Sequence, residues 1–154
     1  MQATDRISFR FEHNGTFHND LVLQIGEQEW RCDSYYLQID RGMLPDREDA
    51  AKVRAVLRRL LDQWCTALGR LSDGQSCYLP YDFSDQYTGW LRCTLDGDRL
   101  RVQLGTAGVQ GHSLPPSQLD GFLDSIPAFR PCSHEVIISR NVFLRSLRAD
   151  PATP

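Results

Sequence analysis

Residues 89–104 read Gly-Trp-Leu-Arg-Cys-Thr-Leu-Asp-Gly-Asp-Arg-Leu-Arg-Val-Gln-Leu, and this stretch decides the fold class. Apolar residues alternate with polar ones on both sides of Asp96-Gly97, which is the strongest short-range hairpin signal in the chain. The pattern predicts one strand over residues 89–95 and a second over residues 99–104. Strands joined by so short a turn pair antiparallel, so we expect an antiparallel or mixed sheet.

The N-terminal part of the chain has the same strand pattern. Alternation of apolar and polar residues over residues 7–11 and 21–25 predicts two strands that each bury one face. Residues 29–39 continue the pattern as a third strand, with a break near Tyr35 that is typical of a bulge. The sequence therefore predicts three antiparallel strands before the first helix.

A long amphipathic helix follows these strands. Asp46 and Asp49 stand where the free amides of a helix N-terminus need acceptors, with Asp46 as the expected cap, and Gly69 is a natural stop. The apolar residues recur at spacings of three and four: Ala50, Val53, Leu57, Leu60, Leu61, Trp64 and Leu68. Because they form a single stripe, we expect this helix to cover one side of the sheet.

Three further elements are predicted in the C-terminal third. Ser117 matches the capping position of a short helix over residues 118–126. Residues 134–138 predict a last strand, and Ser139 predicts the cap of a C-terminal helix that runs to Arg148.

The predicted order of elements is βββ-α-ββ-α-β-α. Strands that come in runs, without strict alternation with helices, are typical of an α+β fold. We therefore expect a single α+β domain over residues 1–149, in which a mainly antiparallel sheet packs against one long helix. Residues 150–154 are expected to form a disordered tail.

The composition is that of an ordinary globular protein. Hydrophobic residues make up 41% of the 154 residues and charged residues 24%, which is enough apolar material for one core. The formal net charge of −3 gives no general attraction to nucleic acid or anionic lipid. No signal-peptide pattern or membrane-length apolar run occurs, so we expect a cytoplasmic protein that binds neither nucleic acid nor membrane.

Residues 77–87 read Cys-Tyr-Leu-Pro-Tyr-Asp-Phe-Ser-Asp-Gln-Tyr and combine several aromatic rings with two carboxylates. One buried stripe does not account for all of these rings, so we expect an aromatic and acidic surface loop. Tyrosine and tryptophan are enriched at binding hot spots, and carboxylates attract basic partners. The predicted partner-binding residues are Tyr81, Asp82, Phe83, Asp85 and Tyr87.

The two carboxylates also allow other interpretations. Asp82 and Asp85 could converge in a turn as acid and base, or as oxygen ligands of a divalent cation. With His112 or His134 as the base, they would make a small hydrolase or a metal-dependent enzyme. Short Asp side chains also cap their own backbone in loops, which is a structural role. Since no catalytic triad, metal-ligand set or phosphate loop is complete in the sequence, we expect no enzyme, metal or cofactor.

Cys132 and His134 form a separate candidate pair. They lie two residues apart, so on a strand they would share one face. A thiolate beside an imidazole is the minimum for nucleophilic catalysis, or half of a metal site. No second close pair of Cys or His completes either site, and a Cys at the start of a buried strand is more often part of the core.

Three segments of the second half carry a family resemblance. They are residues 78–92, Tyr-Leu-Pro-Tyr-Asp-Phe-Ser-Asp-Gln-Tyr-Thr-Gly-Trp-Leu-Arg; Pro116-Ser-Gln-Leu-Asp120 with Phe122 and Ile126; and residues 136–144, Val-Ile-Ile-Ser-Arg-Asn-Val-Phe-Leu. This part of the chain, mainly residues 77–147, resembles small bacterial immunity-type proteins of polymorphic toxin systems. The resemblance implies a protein that neutralises a cognate toxin domain by binding it, commonly over its active site, and it implies no catalytic residue.

The sequence therefore predicts a non-enzymatic protein-binding module, with a bacterial toxin domain as its partner. The alternative is the small hydrolase or metal-dependent enzyme that would use Asp82 and Asp85. A third possibility is a regulatory subunit whose long helix packs on a partner, although such a stripe is more often plain core.

Overall fold

The computed structural model describes residues 2–149 and confirms the predicted α+β fold. The strands are β1 (Gln2–Ala3), β2 (Ile7–Phe11), β3 (Leu21–Ile25), β4 (Gln28–Cys32), β5 (Ser76–Phe83), β6 (Thr88–Asp96), β7 (Arg99–Ala107) and β8 (Arg130–Ser139). The helices are α1 (Tyr35–Gln38), α2 (Ala50–Arg70) and α3 (Arg140–Leu147), and short 3-10 helices span Gly111–Ser113 and Pro116–Gln118. The predicted tail over residues 150–154 lies outside the described residues.

The strands form two sheets. The larger has the order β1-β8-β7-β6-β5, and its only parallel pair among the described strands joins β1 to β8, with Gln2 opposite Val136 and Ala3 opposite Ile137. The smaller sheet has the order β2-β3-β4 and is antiparallel throughout. The mainly antiparallel arrangement follows from the short connections within each run of strands.

The β6–β7 hairpin forms where the sequence predicts it. Asp96 pairs with Arg99, so the turn consists of Gly97 and Asp98. Gly97 has a φ of 66°, and glycine with a positive φ at the first turn position is typical of a type II′ hairpin turn.

Helix α2 lies at the centre of the core. It buries a broad apolar face that includes Val53, Val56, Leu57, Leu60, Leu61, Trp64, Ala67 and Leu68. The Trp64 ring stacks on Phe9 of β2 with 5.4 Å between the ring centroids, and α2 also contacts β5. One cluster of buried hydrophobic side chains therefore includes both sheets, α2 and α3.

The predicted third strand is wrong beyond Cys32, where the chain turns into the short helix α1. The buried carboxylate of Asp20 accepts hydrogen bonds from the backbone N–H of Ser34 at 2.9 Å and from its hydroxyl at 2.8 Å. These bonds pull the backbone out of the strand direction, so the break near Tyr35 marks the start of a helix and no bulge.

Helix α2 begins later than predicted. Asp49, with extended backbone angles, caps it by accepting from the backbone N–H of Lys52 at 3.0 Å, so Asp46 is not the cap. The helix continues through Gly69 and ends at Arg70.

The predicted surface loop ahead of the hairpin is wrong, because most of it is strand β5. Alternate residues Cys77, Leu79, Tyr81 and Phe83 are all buried. Pro80 is tolerated because β5 is the outermost strand of the larger sheet. On its outer side no neighbouring strand needs a hydrogen bond from the N–H that proline lacks.

The predicted helix over residues 118–126 is also wrong. The N–H and hydroxyl of Ser117 donate to the buried carboxylate of Asp40 at 2.7 and 3.0 Å, and Ser117 lies inside the short 3-10 helix Pro116–Gln118, so it does not stand at the start of a longer helix. The segment of residues 108–129 instead crosses the outer edge of β5, where the Tyr78 N–H donates to the Leu123 carbonyl at 2.8 Å. Tertiary hydrogen bonds therefore replace the helical ones.

The last strand and the last helix are confirmed. Ser139 ends β8 and caps α3 by accepting from the Val142 N–H. Arg140 donates to the carbonyls of Leu68 and Leu71 at the end of α2, at 3.3 and 2.9 Å. This guanidinium therefore joins the start of α3 to the end of α2. No helix within residues 2–149 has the length and apolar character needed to cross a membrane.

Candidate functional site

A cleft lies between the start of α1, the turn after β5 and the turn before β3. It has a volume of about 470 Å³ and is lined by His18, Asp33, Tyr35, Tyr36, Phe83, Ser84 and Asp85, and we name it the tyrosine–aspartate cleft. Tyr35 at the cleft is 42% exposed, and Tyr87, on the turn between β5 and β6, is 45% exposed. These rings offer apolar area that a partner could cover.

Backbone and side-chain contacts fix the floor of the cleft. The Asn19 N–H donates to Asp33 Oδ1 at 2.9 Å, and His18 Nδ1 lies 3.2 Å from Asp33 Oδ2. The bonds from Asp20 to Ser34 hold the same two segments together beneath the surface. Asp33 is therefore oriented by its neighbours while its side chain remains exposed to partners.

A tyrosine and a carboxylate close the other side of the cleft. The Tyr36 hydroxyl donates a short hydrogen bond to Asp85 Oδ1, which ties α1 to the turn after β5. This hydrogen bond to a carboxylate raises the pKa of Tyr36 to about 12, because the phenolate would lose it. The Tyr35 ring packs edge-on against Tyr36 with 5.2 Å between centroids, so both rings are held in place.

The five predicted partner-binding residues are divided between the core and the surface. Tyr81 is 8% exposed and Phe83 is 2% exposed, so both rings pack in the core and offer little free surface, although Phe83 also lines the cleft. That they contact a partner stays a prediction. Tyr87 and Asp85 are exposed, as expected of contact residues. Burial follows from the strand alternation of β5, which places every second side chain on the inner face.

Asp82 occupies an intermediate position at a β-bulge. The pairing of β5 with β6 shifts between Pro80 and Asp82, so Tyr81 and Asp82 both lie against Gly89. A Cβ on Gly89 would approach the Asp82 Cβ to 2.9 Å and the Tyr81 Cζ to 3.0 Å, so glycine is required there. The bulge turns the carboxyl of Asp82 toward Ser84, whose hydroxyl donates to Oδ1 at 2.9 Å.

The electrostatics of Asp82 differ from those of Asp85. Burial raises the pKa of the Asp82 carboxyl, and the nearby negative charge of Asp33 raises it further, while the Ser84 hydrogen bond acts the opposite way. Asp82 and Asp85 bind different partners, Ser84 and Tyr36, and do not form a hydrogen-bonded pair. Among residues 2–149, no group of three or more His, Cys, Asp or Glu side chains could hold a metal ion.

Cys132 and His134 lie on β8 but do not form a pair of buried residues. Cys132 is exposed, which contradicts the expectation of a core thiol. The His134 ring packs edge-on against Trp30 of β4, with 4.9 Å between centroids, and its Nε2 is buried. This histidine joins the two sheets.

The sequence analysis missed His18, Asp33, Tyr35 and Tyr36. The available signal is Asp33-Ser34, two residue types that often precede a helix, placed where the strand alternation fails, although the Ser34 side chain does not cap α1 in the structure. The break in alternation alone indicates a bulge, because the hydrogen bond from Ser34 to Asp20, fourteen residues earlier, cannot be predicted from local spacing.

Comparisons with protein-family models, with curated proteins and with solved structures find no match for this chain. The resemblance of residues 77–147 to immunity-type proteins therefore stays a prediction from the sequence.

Proposed function

We propose that this chain is a non-enzymatic, cytoplasmic immunity protein that neutralises a cognate toxin domain by binding it through the tyrosine–aspartate cleft. The observation that carries the proposal is the pairing of exposed tyrosine rings with carboxylates around one recess. Tyr35 in the cleft and Tyr87, on the same turn as Asp85, supply apolar area with little side-chain freedom to lose, and Asp33 and Asp85 supply negative charge.

The charge of the cleft favours a basic partner surface. Asp33 and Asp85 line it, and the only cationic or titratable basic group among its lining residues is His18, which already lies beside Asp33. Acidic groups of this kind steer association with basic surfaces and speed the encounter at low salt. Enzymes that cleave nucleic acids present such basic clefts, because their substrates are polyanions.

The rigidity of the cleft supports binding as well. Tyr36 is fixed by Asp85, and Asp33 by Asn19, so few side chains would have to be ordered when a partner docks. Preorganised contacts lose less conformational entropy on association, which favours the tight binding that a stoichiometric inhibitor requires.

The test uses the toxin domain encoded next to the gene for this chain, purified in a catalytically inactive form. Titration calorimetry should detect a one-to-one complex, and Tyr35→Ala and Tyr87→Ala should each weaken it about tenfold or more. Asp33→Asn and Asp85→Asn should slow association and reduce its dependence on salt.

Asp124→Asn is the matched control, because Asp124 is exposed and lies outside the cleft. Its affinity should equal that of the wild type. If the wild-type chain neither binds the toxin domain nor protects cells that express the active toxin, the proposed function is wrong. Binding that is unaffected by all four cleft variants would place the interface elsewhere.

The raised pKa of Asp82 favours a second candidate, a small hydrolase with Asp82 as its general acid. A half-buried carboxyl that holds its proton more tightly than usual is typical of general acids. Loss of a measured hydrolase activity in Asp82→Asn, with the same far-UV circular dichroism as the wild type, would support this candidate.

A further inference from the structure

An exposed leucine lies at the tip of the loop that joins α1 to α2. Leu44 is 76% exposed, while its neighbour Met43 packs against the core. Exposed charged residues surround it in the sequence: Arg41, Asp46, Arg47 and Glu48. An apolar centre within a charged rim is the usual composition of a protein-binding contact.

A buried lysine holds this loop from behind. Lys52, the only lysine in the chain, is 2% exposed. Its Nζ donates to the Met43 carbonyl at 2.6 Å and to the Pro45 carbonyl at 2.9 Å, on the two sides of Leu44. The backbone around Leu44 is therefore fixed at the carbonyls of both neighbouring residues.

The position of Lys52 is electrostatically unfavourable for the helix. It lies in the first turn of α2, where the helix dipole is positive and favours acidic residues. Lysine is almost never fully buried unless its charge is compensated. The hydrogen bonds that Lys52 makes in compensation are those to the loop, so this residue serves the conformation of the loop more than the stability of α2.

A second buried group fixes the start of the same loop. The Asp40 carboxylate accepts from the N–H of Gly42 at 2.9 Å and from the N–H and hydroxyl of Ser117 at 2.7 and 3.0 Å. The loop is thus held at its start by Asp40 and at its tip by Lys52.

The loop adjoins the tyrosine–aspartate cleft. Tyr36 lines both the cleft and a neighbouring hollow of about 240 Å³, and Arg41 and Gly42 of the loop line that hollow too. One partner could therefore cover the cleft and the loop together.

We propose that Leu44 is the apolar anchor of this interface, inserted into an apolar pocket of the toxin domain, and that Lys52 is the positioning residue that holds it there. The inference rests on the proposed function and adds to it an apolar contact beside the cleft. Because the backbone around Leu44 is already fixed, little conformational entropy would be lost when its side chain is covered.

Titration calorimetry with the inactive toxin domain tests the anchor. Leu44→Asp should weaken binding about tenfold or more, whereas Leu44→Met, which keeps the apolar character, should stay within about twofold of the wild type. Ser125→Asp adds the same charge at an exposed site outside the loop and should leave affinity unchanged. Thermal unfolding of all three variants should match the wild type, since each site is exposed.

Lys52 is tested with Lys52→Met and Lys52→Gln. Hydrogen exchange of the amides of residues 41–48 should accelerate about tenfold or more in both variants, while the exchange of the central amides of α2 stays unchanged. Toxin affinity should fall in parallel with the loss of loop protection. Unchanged exchange in the loop of either folded variant would overturn the positioning role.

The outcomes separate the two proposals. If the wild type binds and Leu44→Asp binds equally well, the anchor is overturned and the proposed function stands. If the wild type does not bind or protect, the proposed function fails, and the anchor fails with it.

Discussion

Asp82 has a carboxyl that burial pushes toward its neutral form. Because its pKa in the folded protein is raised above its ordinary value of 3.8, the folded state binds the proton more tightly than the unfolded chain. This contribution favours folding most strongly at low pH and is lost as the pH rises through the raised pKa. At neutral pH the ionised side chain is therefore a source of instability.

We expect Asp82→Asn to unfold at a higher temperature than the wild type at pH 7, because the amide has no charge to desolvate and can still accept from Ser84. The difference should shrink as the pH is lowered through the raised pKa of Asp82, where the carboxyl gains its proton. Calorimetric scans at several pH values measure it. Asp124→Asn, at an exposed aspartate, is the control, and a lower midpoint for Asp82→Asn at pH 7 would contradict the argument.

At the scale of single residues, the sequence predicted the exposure of the polar residue Asp85 correctly, but it did not predict the burial of the aromatic rings of Tyr81 and Phe83. Tyr81 and Phe83 continue the alternation of Cys77 and Leu79, so the pattern for burial was present. Pro80 and the neighbouring aspartates outweighed it, because they are typical of loops. That Pro80 is compatible with an edge strand depends on the position of β5 in the sheet, which no local pattern gives.

Helices α2 and α3 satisfy each other's free C-terminal carbonyls. Arg140 at the start of α3 donates to Leu68 and Leu71, and Arg58 of α2 donates to the Leu147 carbonyl at 2.9 Å and the Ala149 carbonyl at 3.3 Å. The last carbonyls of a helix lack the usual intrahelical donors, and a cation also complements the negative end of the helix dipole.

We expect Arg140→Ala and Arg58→Ala each to lower the free energy of unfolding by about 1–3 kcal/mol, because charged hydrogen bonds in half-buried positions are lost. Urea denaturation measures the loss. Arg59→Ala changes an exposed arginine on the same helix and should stay within about 0.5 kcal/mol of the wild type. Equal stability of all three variants would show that the two guanidinium contacts add nothing.

Among the elements, those predicted correctly have local signals, and those missed depend on distant partners. The hairpin, α2 and α3 follow from alternation, an apolar stripe and a cap. Helix α1 depends on Asp20 reaching Ser34, and the irregular 108–129 segment on Asp40 reaching Ser117. Strand β1 has two residues and exists because β8 lies beside it. The cleft was missed for the same reason, since three separate segments form it.

At the scale of the whole molecule, α2 packs against both sheets and joins them in one core. Each of the three tryptophans lies in a different part of the molecule. Trp30 lies on β4 of the smaller sheet, Trp64 on α2 and Trp90 on β6 of the larger sheet. Trp64 stacks on the smaller sheet and belongs to the same buried cluster as Trp90. Both sheets therefore bury side chains in one cluster with α2.

We therefore expect the chain to unfold in a single transition. In protein labelled with 5-fluorotryptophan, the fluorine resonances of Trp30, Trp64 and Trp90 should lose their native intensity at the same urea concentration. Trp64→Ala should lower the free energy of unfolding by about 3–5 kcal/mol and shift all remaining resonances together. Loss of the Trp30 resonance at lower urea than the Trp90 resonance would mean that the smaller sheet melts alone.

During translation, Gln2 and Ala3 leave the ribosome long before Val136 and Ile137, the residues with which they pair in the sheet. Until β8 is synthesised, β7 is the last strand of the nascent sheet, and its outer backbone groups have no partner. Such an edge is a template for neighbouring nascent chains on the same messenger. Correct folding therefore depends on how soon β8 is synthesised and pairs with β7.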